Sequence, residues 1–115
     1  MQGRLTLPAR LRLRRKSDFD AAYARGRRLS DGFFTVIALA NDKGAPRLGL
    51  AVAVRAAGGA VGRNRLRRLI RESFRLHQAA LPALDLVVSA RPQARLAAPA
   101  ALRESLAALW RRAAA

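Results

Sequence analysis

Gly62-Arg63-Asn64-Arg65-Leu66-Arg67-Arg68-Leu69-Ile70-Arg71-Glu72-Ser73-Phe74-Arg75 is the stretch from which the rest of the chain is best read. At about 100° per residue, Leu66, Leu69, Ile70, Ser73 and Phe74 fall on one side of a helix. Arg67, Arg71 and Arg75, with Arg68 and Asn64, fall on an adjoining arc, because a step of four residues advances only about 40°. The apolar stripe can dock on a core while the arginine ridge stays in water. Like charges four residues apart cost roughly a few tenths of a kcal/mol per pair. A polyanionic partner would relieve that repulsion.

The whole chain carries the same bias. Its 115 residues hold 23 Lys+Arg against 7 Asp+Glu, a formal net charge of +16. Only Lys16 and Lys43 are lysines, and the other cations are arginines, whose planar fork grips phosphate and stacks on bases. A high-GC genome would account for Arg over Lys and for the many alanines, but not for the charge balance. Such a balance points to nucleic acid or an anionic membrane surface. With no cysteine there is neither a disulfide framework nor a thiolate metal site, and a single histidine, His77, argues against a histidine-based zinc site or triad. No apolar run approaches the roughly 20 residues that span a bilayer. Met1 to Lys16 scatters arginines among leucines and lacks the continuous apolar segment of a signal peptide, so a cytoplasmic protein is expected.

The chain reads as one domain, residues 1–115, with a basic arm over 1–16 in which Arg12, Arg14, Arg15 and Lys16 stand among leucines. Ser17 is the expected N-cap of a helix through Phe19, Ala22 and Tyr23 to Gly26, with Asp20 at capping-box spacing. Phe19 and Tyr23, four apart, share a face. Phe33 to Ala40 predicts a strand and Asn41-Asp42-Lys43-Gly44 a turn, with Arg47 to Val54 as the partner strand of a hairpin. Strand alternation puts Phe33, Thr35 and Ile37 on one face and Phe34, Val36 and Ala38 on the other. Ala56 to Ala60 reads as a flexible connector. The arginine helix should run from Gly62 or Arg63 to about Ala80. Leu84 to Ala90 is continuously apolar, as a buried strand is. Pro92 to Pro99 reads as a loop, and Pro99 to Arg112 as an amphipathic helix with Leu102, Leu106, Leu109 and Trp110 inward. With a short strand at Arg28 to Ser30, the order is α-β-β-β-α-β-α, an α+β fold.

No catalytic constellation emerges. Asp18, Asp20, Asp31, Asp42, Glu72, Asp85 and Glu104 are scattered. Asp18 and Asp20 suit a helix's first turn, and Glu72 can pair with Arg68 or Arg75. His77, at the margin of the apolar stripe, suits a partly buried structural or RNA-adjacent role. Gly58-Gly59 beside Gly62 lacks the Lys-Ser/Thr of a nucleotide-binding P-loop. No metal or cofactor is expected on the protein itself.

Gly59 to Arg75, with Arg63-Asn64-Arg65 at its head, closely resembles the signature of the bacterial ribonuclease P protein family. Lys16-Ser17-Asp18-Phe19, Tyr23 and Gly26-Arg27-Arg28 resemble that family's first helix and its exit. Arg47-Leu48-Gly49-Leu50-Ala51-Val52 resembles its third strand, and Leu84 to Arg91 its last. The resemblance implies a single-domain α/β sandwich with a left-handed β-α-β crossover, against the usual right-handed rule. It implies a protein monomer that assists a catalytic RNA in cutting the 5′ leader from precursor tRNA, the magnesium being used by the RNA. It implies that Arg63, Asn64, Arg65, Arg67, Arg68, Arg71 and Arg75 bind the ribozyme RNA. Phe19, Tyr23, Phe33 and Ile37 would line a leader-binding cleft between the first helix and the sheet.

Three features depart from the family's pattern. Ala53-Val54-Arg55 stands where Ser-Lys-Lys is common, Ile37 replaces a cleft aromatic of some members, and only Arg111, Arg112 and alanines follow Trp110. Other readings are a structural-RNA binder without a processing role, a membrane-surface protein with basic amphipathic helices, and a protein-only nuclease. Strand content and Pro/Gly punctuation disfavour the membrane reading, and the scattered acids disfavour the nuclease.

Overall fold

The computed structural model describes residues 7–115; the first six residues of the expected arm, Arg4 among them, lie outside the described residues. The elements are α1 (Lys16–Arg25), β1 (Arg27–Ser30), β2 (Phe34–Ala40), β3 (Arg47–Leu50), a one-turn α2 (Val54–Ala57), α3 (Ala60–His77), β4 (Leu84–Ala90) and α4 (Pro99–Ala114), with 3-10 turns at Ala9–Leu11, Gln78–Ala80 and Pro92–Leu96. The α+β class agrees with expectation, and so does the element order apart from the added one-turn α2.

The hairpin does not form. The sheet order is β1-β2-β4-β3, so β4 lies between β2 and β3, antiparallel to the first and parallel to the second. Asn41 does make its turn, accepting Lys43 N–H at 2.8 Å, but β3 then passes beyond β2. A strand apolar on both faces gains most from a central position, which β4 takes. The parallel β3–β4 pair is joined through α2 and α3, a β-α-β unit.

Three boundaries also differ. Arg15, not Ser17, is the N-cap of α1, and no side-chain cap forms; Lys16 instead pairs with Asp20 at 2.8 Å. The strand from Arg47 ends at Leu50 rather than Val54, and the expected flexible connector begins as a helical turn. Helix α3 starts at Ala60, capped by Gly59.

The sheet is covered on both faces. On one, Phe34, Val36, Ala38, Leu48, Leu86 and Val88 meet the stripes of α3 and α4. Trp110 Nε1 donates to Ser73 Oγ at 2.9 Å, and its ring meets Phe74 edge-on, centroids 6.0 Å apart. Asp31 accepts the Phe33 and Phe34 amides at 2.8 and 2.9 Å and the Ser105 hydroxyl, tying α4 to the sheet's edge. On the other face Ala22 of α1 packs with Leu13, Ile37 and Val87 in a smaller cluster. The described part of the arm, from Leu7 onward, belongs to this body. Leu7 and Leu11 join the larger cluster and Leu13 the smaller, while Leu13 N–H donates to the Leu48 carbonyl at 2.9 Å along the free edge of β3. No helix among the described residues is long and apolar enough to cross a membrane.

Candidate nucleic-acid interface

A groove of about 510 Å³ opens where the arm, β3, α1 and α3 meet. Leu7, Leu13, Leu48, Leu50 and Phe19 supply its apolar lining, and Arg12, Arg14, Arg67, Arg68 and Arg71 supply the cations. The period-four spacing of α3 turns Arg67 and Arg71 to the groove, and the extended arm brings Arg12 and Arg14 from the other side. Burial, and then the positive charges of Arg67, Arg68 and Arg12, lower the pKa of Arg71. Cations so crowded favour a ligand that brings negative charge among them.

Phe19 reaches the groove because β3 makes room for it. A Cβ on Gly49 would stand 2.9 Å from two carbons of the Phe19 ring and 3.0 Å from Leu13 Cδ1, so no larger residue fits without displacing them. Two residues earlier on the same strand, Arg47 donates twice to Asp85, Nε to Oδ1 and Nη2 to Oδ2, each at 2.8 Å. Asn41 Nδ2 donates to the same carboxylate at 2.8 Å. Arg47 Nη2 also lies 3.6 Å from Asp18 Oδ1, in the first turn of α1. The Asp85 hydrogen bonds raise the pKa of Arg47 against the opposing effect of burial, with Asp18 adding to the rise.

The expected site residues separate into groups. Arg67, Arg68 and Arg71 line the groove, whereas Arg63 donates from Nε to the Val52 carbonyl at 2.9 Å and Arg65 reaches towards the Arg95 carbonyl. Asn64 is exposed; Arg75 is half-buried, and its Nε finds no partner among the described residues. Arg12 and Arg14 join the groove, Arg15 is exposed at the cap of α1, and Lys16 is engaged with Asp20. Tyr23 is 53% exposed and lies outside the groove lining. Ile37 is buried under the end of α1, where a Cβ on Gly26 would collide with it, so it offers no open surface. Phe33 packs against the larger cluster on the opposite face, apart from Phe19, because the chain has not yet entered the regular alternation of β2. Glu72 pairs with neither Arg68 nor Arg75 among the described residues. His77 Nδ1 donates to the Ser73 carbonyl at 2.8 Å, closing the last turn of α3.

Leu13, Arg47, Gly49 and Asp85 were not singled out from the sequence as site residues. The available signal was the spacing Arg47-x-Gly49 on a strand, which puts both residues on one face.

Sheet, helices and groove define a small basic α+β protein with a cation-lined cleft. The family model described as Ribonuclease P matches residues 7–114. The chain is 41% identical over 109 residues to the ribonuclease P protein component of Yersinia pestis, covering 95% of this chain and 92% of that one. It is 39% identical over 105 residues to the component from Thioalkalivibrio sulfidiphilus, covering 91% and 88%. The solved structure of the Staphylococcus aureus RNase P protein superposes with a TM-score of 0.84 at 31% identity, over 90% of this chain and 94% of that one. The Thermotoga maritima protein gives 0.79 at 33%, over 88% and 96%. The chain belongs to the ribonuclease P protein family.

Proposed function

We propose that this chain is the protein component of ribonuclease P and that, with the catalytic RNA, it takes part in removing the 5′ leader from precursor tRNA. The observation that supports this most is the groove, where five guanidiniums surround an apolar lining that includes the Phe19 ring. Phosphates meet the cations and an unpaired base meets the ring, the combination that single-stranded RNA requires. The ridge outside the groove, with the exposed Asn64 and Arg65 and the half-buried Arg75, is assigned to the catalytic RNA. The groove, with Phe19 inside and Tyr23 on the same helix, is assigned to the leader, and the arm neutralises neighbouring phosphates. Phe33 and Ile37 have no part in that contact.

Among the described residues no three of His, Cys, Asp or Glu cluster to hold a metal ion. Magnesium is assigned to the RNA, as the family resemblance implies, and no step here runs through a metal on the protein. The protein acts as a monomer in the ribonucleoprotein, away from membranes.

Reconstitution with the cognate RNA at limiting magnesium tests the assignment. The protein alone should cleave no precursor tRNA, and its addition should raise cleavage by the RNA. Cleavage by RNA-free protein, abolished by changing one of its own acids, would overturn it. Replacing Phe19 and Tyr23 with Leu should weaken binding of leader-bearing substrate and spare mature tRNA, since stacking is worth about 1 to 3 kcal/mol per base. Equal weakening of both would remove the leader from this site.

A further inference from the structure

We infer that Asp18 and Arg47 form a tether that positions Phe19 for the leader without touching RNA, an inference resting on the assignment of Phe19 to the leader. Two consecutive residues of α1, Asp18 and Phe19, meet two alternate residues of β3, Arg47 and Gly49. Because alternate strand residues face the same way, tether and seat lie side by side on one strip of sheet. The Phe19 ring rests where Gly49 has no side chain, and Asp18 Oδ1 lies 3.6 Å from Arg47 Nη2.

Arg47 is itself held. Its guanidinium lies flat in the Asp85 fork, and Asp85 is 5% exposed with Asn41 on the same carboxylate. The Arg47 side chain is 13% exposed and that of Asp18 26%, so the pair is screened less than one on the open surface. The rest of this turn is held by the Lys16–Asp20 pair at its exposed side and by the small cluster on which Phe19 packs, with no side-chain cap on α1. A half-buried ring open to the groove on one side gains from a constraint on its backbone, and the ion pair one residue away supplies it.

The sign of the effect separates positioning from simple electrostatics. Asp18 is an anion close to a groove assigned to a polyanion. If only its charge mattered, removing it would tighten RNA binding. If it positions Phe19, removing it weakens leader binding.

The test uses the full chain reconstituted with its RNA. Asp18→Ala and Asp18→Asn should each raise the Kd and KM for leader-bearing precursor about three- to tenfold, a partial loss of one stacked base, with kcat unchanged. Affinity for mature tRNA and for the catalytic RNA should not move, and Tm should fall only slightly, by the loss of one first-turn anion. Phe19→Leu should reproduce the loss, and adding Asp18→Ala to it should cost nothing more, because coupled residues are not additive. Tighter binding by the Asp18 variants, unchanged binding, or losses that add to that of Phe19→Leu would overturn the tether. A fall in Tm with all three RNAs weakened together would also overturn it, making Asp18 a structural residue only. If Phe19→Leu itself leaves leader binding intact, the leader assignment fails, and the tether fails with it.

Discussion

The two faces of the sheet are covered to different depths. On one, α3 and α4 bury Trp110, Phe74, Leu66, Ile70, Leu102 and Leu106 almost completely. On the other, Ala22 of α1 meets Leu13, Ile37 and Val87, and Phe19 stays half-open to the groove. Burial of apolar surface contributes about 25 cal/mol per Å², so most of the stabilisation resides on the first face. The second gives up burial and keeps a space a ligand can enter. Helix α3 joins the two, with its stripe in the deep core and its arginine arc at the rim of the groove.

The largest effect should come from the deep face. Phe74→Ala should cost about 3 to 5 kcal/mol of unfolding free energy, and Ile37→Ala less, since fewer neighbours surround it. Denaturant titration checks both; equal losses would break the contrast. Next, Arg67→Ala with Arg68→Ala should leave Tm nearly unchanged but weaken RNA binding. Each lost phosphate contact should flatten the log–log salt dependence by roughly 0.7 to 0.9. An unchanged slope would remove the groove rim from the binding surface. Smaller again, Ser73→Ala leaves the buried Trp110 N–H without its acceptor and should cost about 1 to 2 kcal/mol, with RNA affinity at moderate temperature intact.

The smallest effect concerns acid. Burial pushes the Asp31 pKa up, but the Ser105 hydroxyl, the Phe34 and Phe33 amides and the charge of Arg112 outweigh it, so the folded value lies below the ordinary one. A lowered carboxyl pKa contributes stability above the unfolded value, about 3.9, and that stability is lost as pH falls through the folded value. Asp31→Asn should flatten the acid limb of the stability curve by less than about 1 kcal/mol, because the group is partly solvated. A variant as acid-sensitive as the parent would assign that limb to other carboxylates.

The deep face was legible because it follows from short-range periodicity. Leu66, Leu69, Ile70 and Phe74, and Leu102, Leu106, Leu109 and Trp110, mark their helices without reference to anything else. Strand order was not legible in the same way. Asn41 to Gly44 looks like a hairpin turn and is a turn, but pairing depends on a strand that comes some forty residues later. The groove was half legible. Arg67, Arg68 and Arg71 stood out as a ridge and Phe19 as a candidate base-stacking aromatic, but Leu11 and Leu13 in the arm looked like spacers between arginines. Their burial depends on the edge of β3, which no local pattern encodes. Arg47 was hidden for a related reason: in a chain this rich in arginine, the one that holds an aspartate is indistinguishable by type from those facing solvent.

The place of β4 gives the molecule an order of assembly. During synthesis the arm, α1, β1, β2, β3 and the arginine helix all leave the ribosome before Leu84 does. Until then β3 has no strand to lie against, the arm has no edge to follow, and Arg47 has no Asp85. A nascent chain at that stage already carries the cationic ridge but not the seat for Phe19. A general attraction for polyanions therefore precedes the capacity for shape, and one late strand of seven residues converts the first into the second.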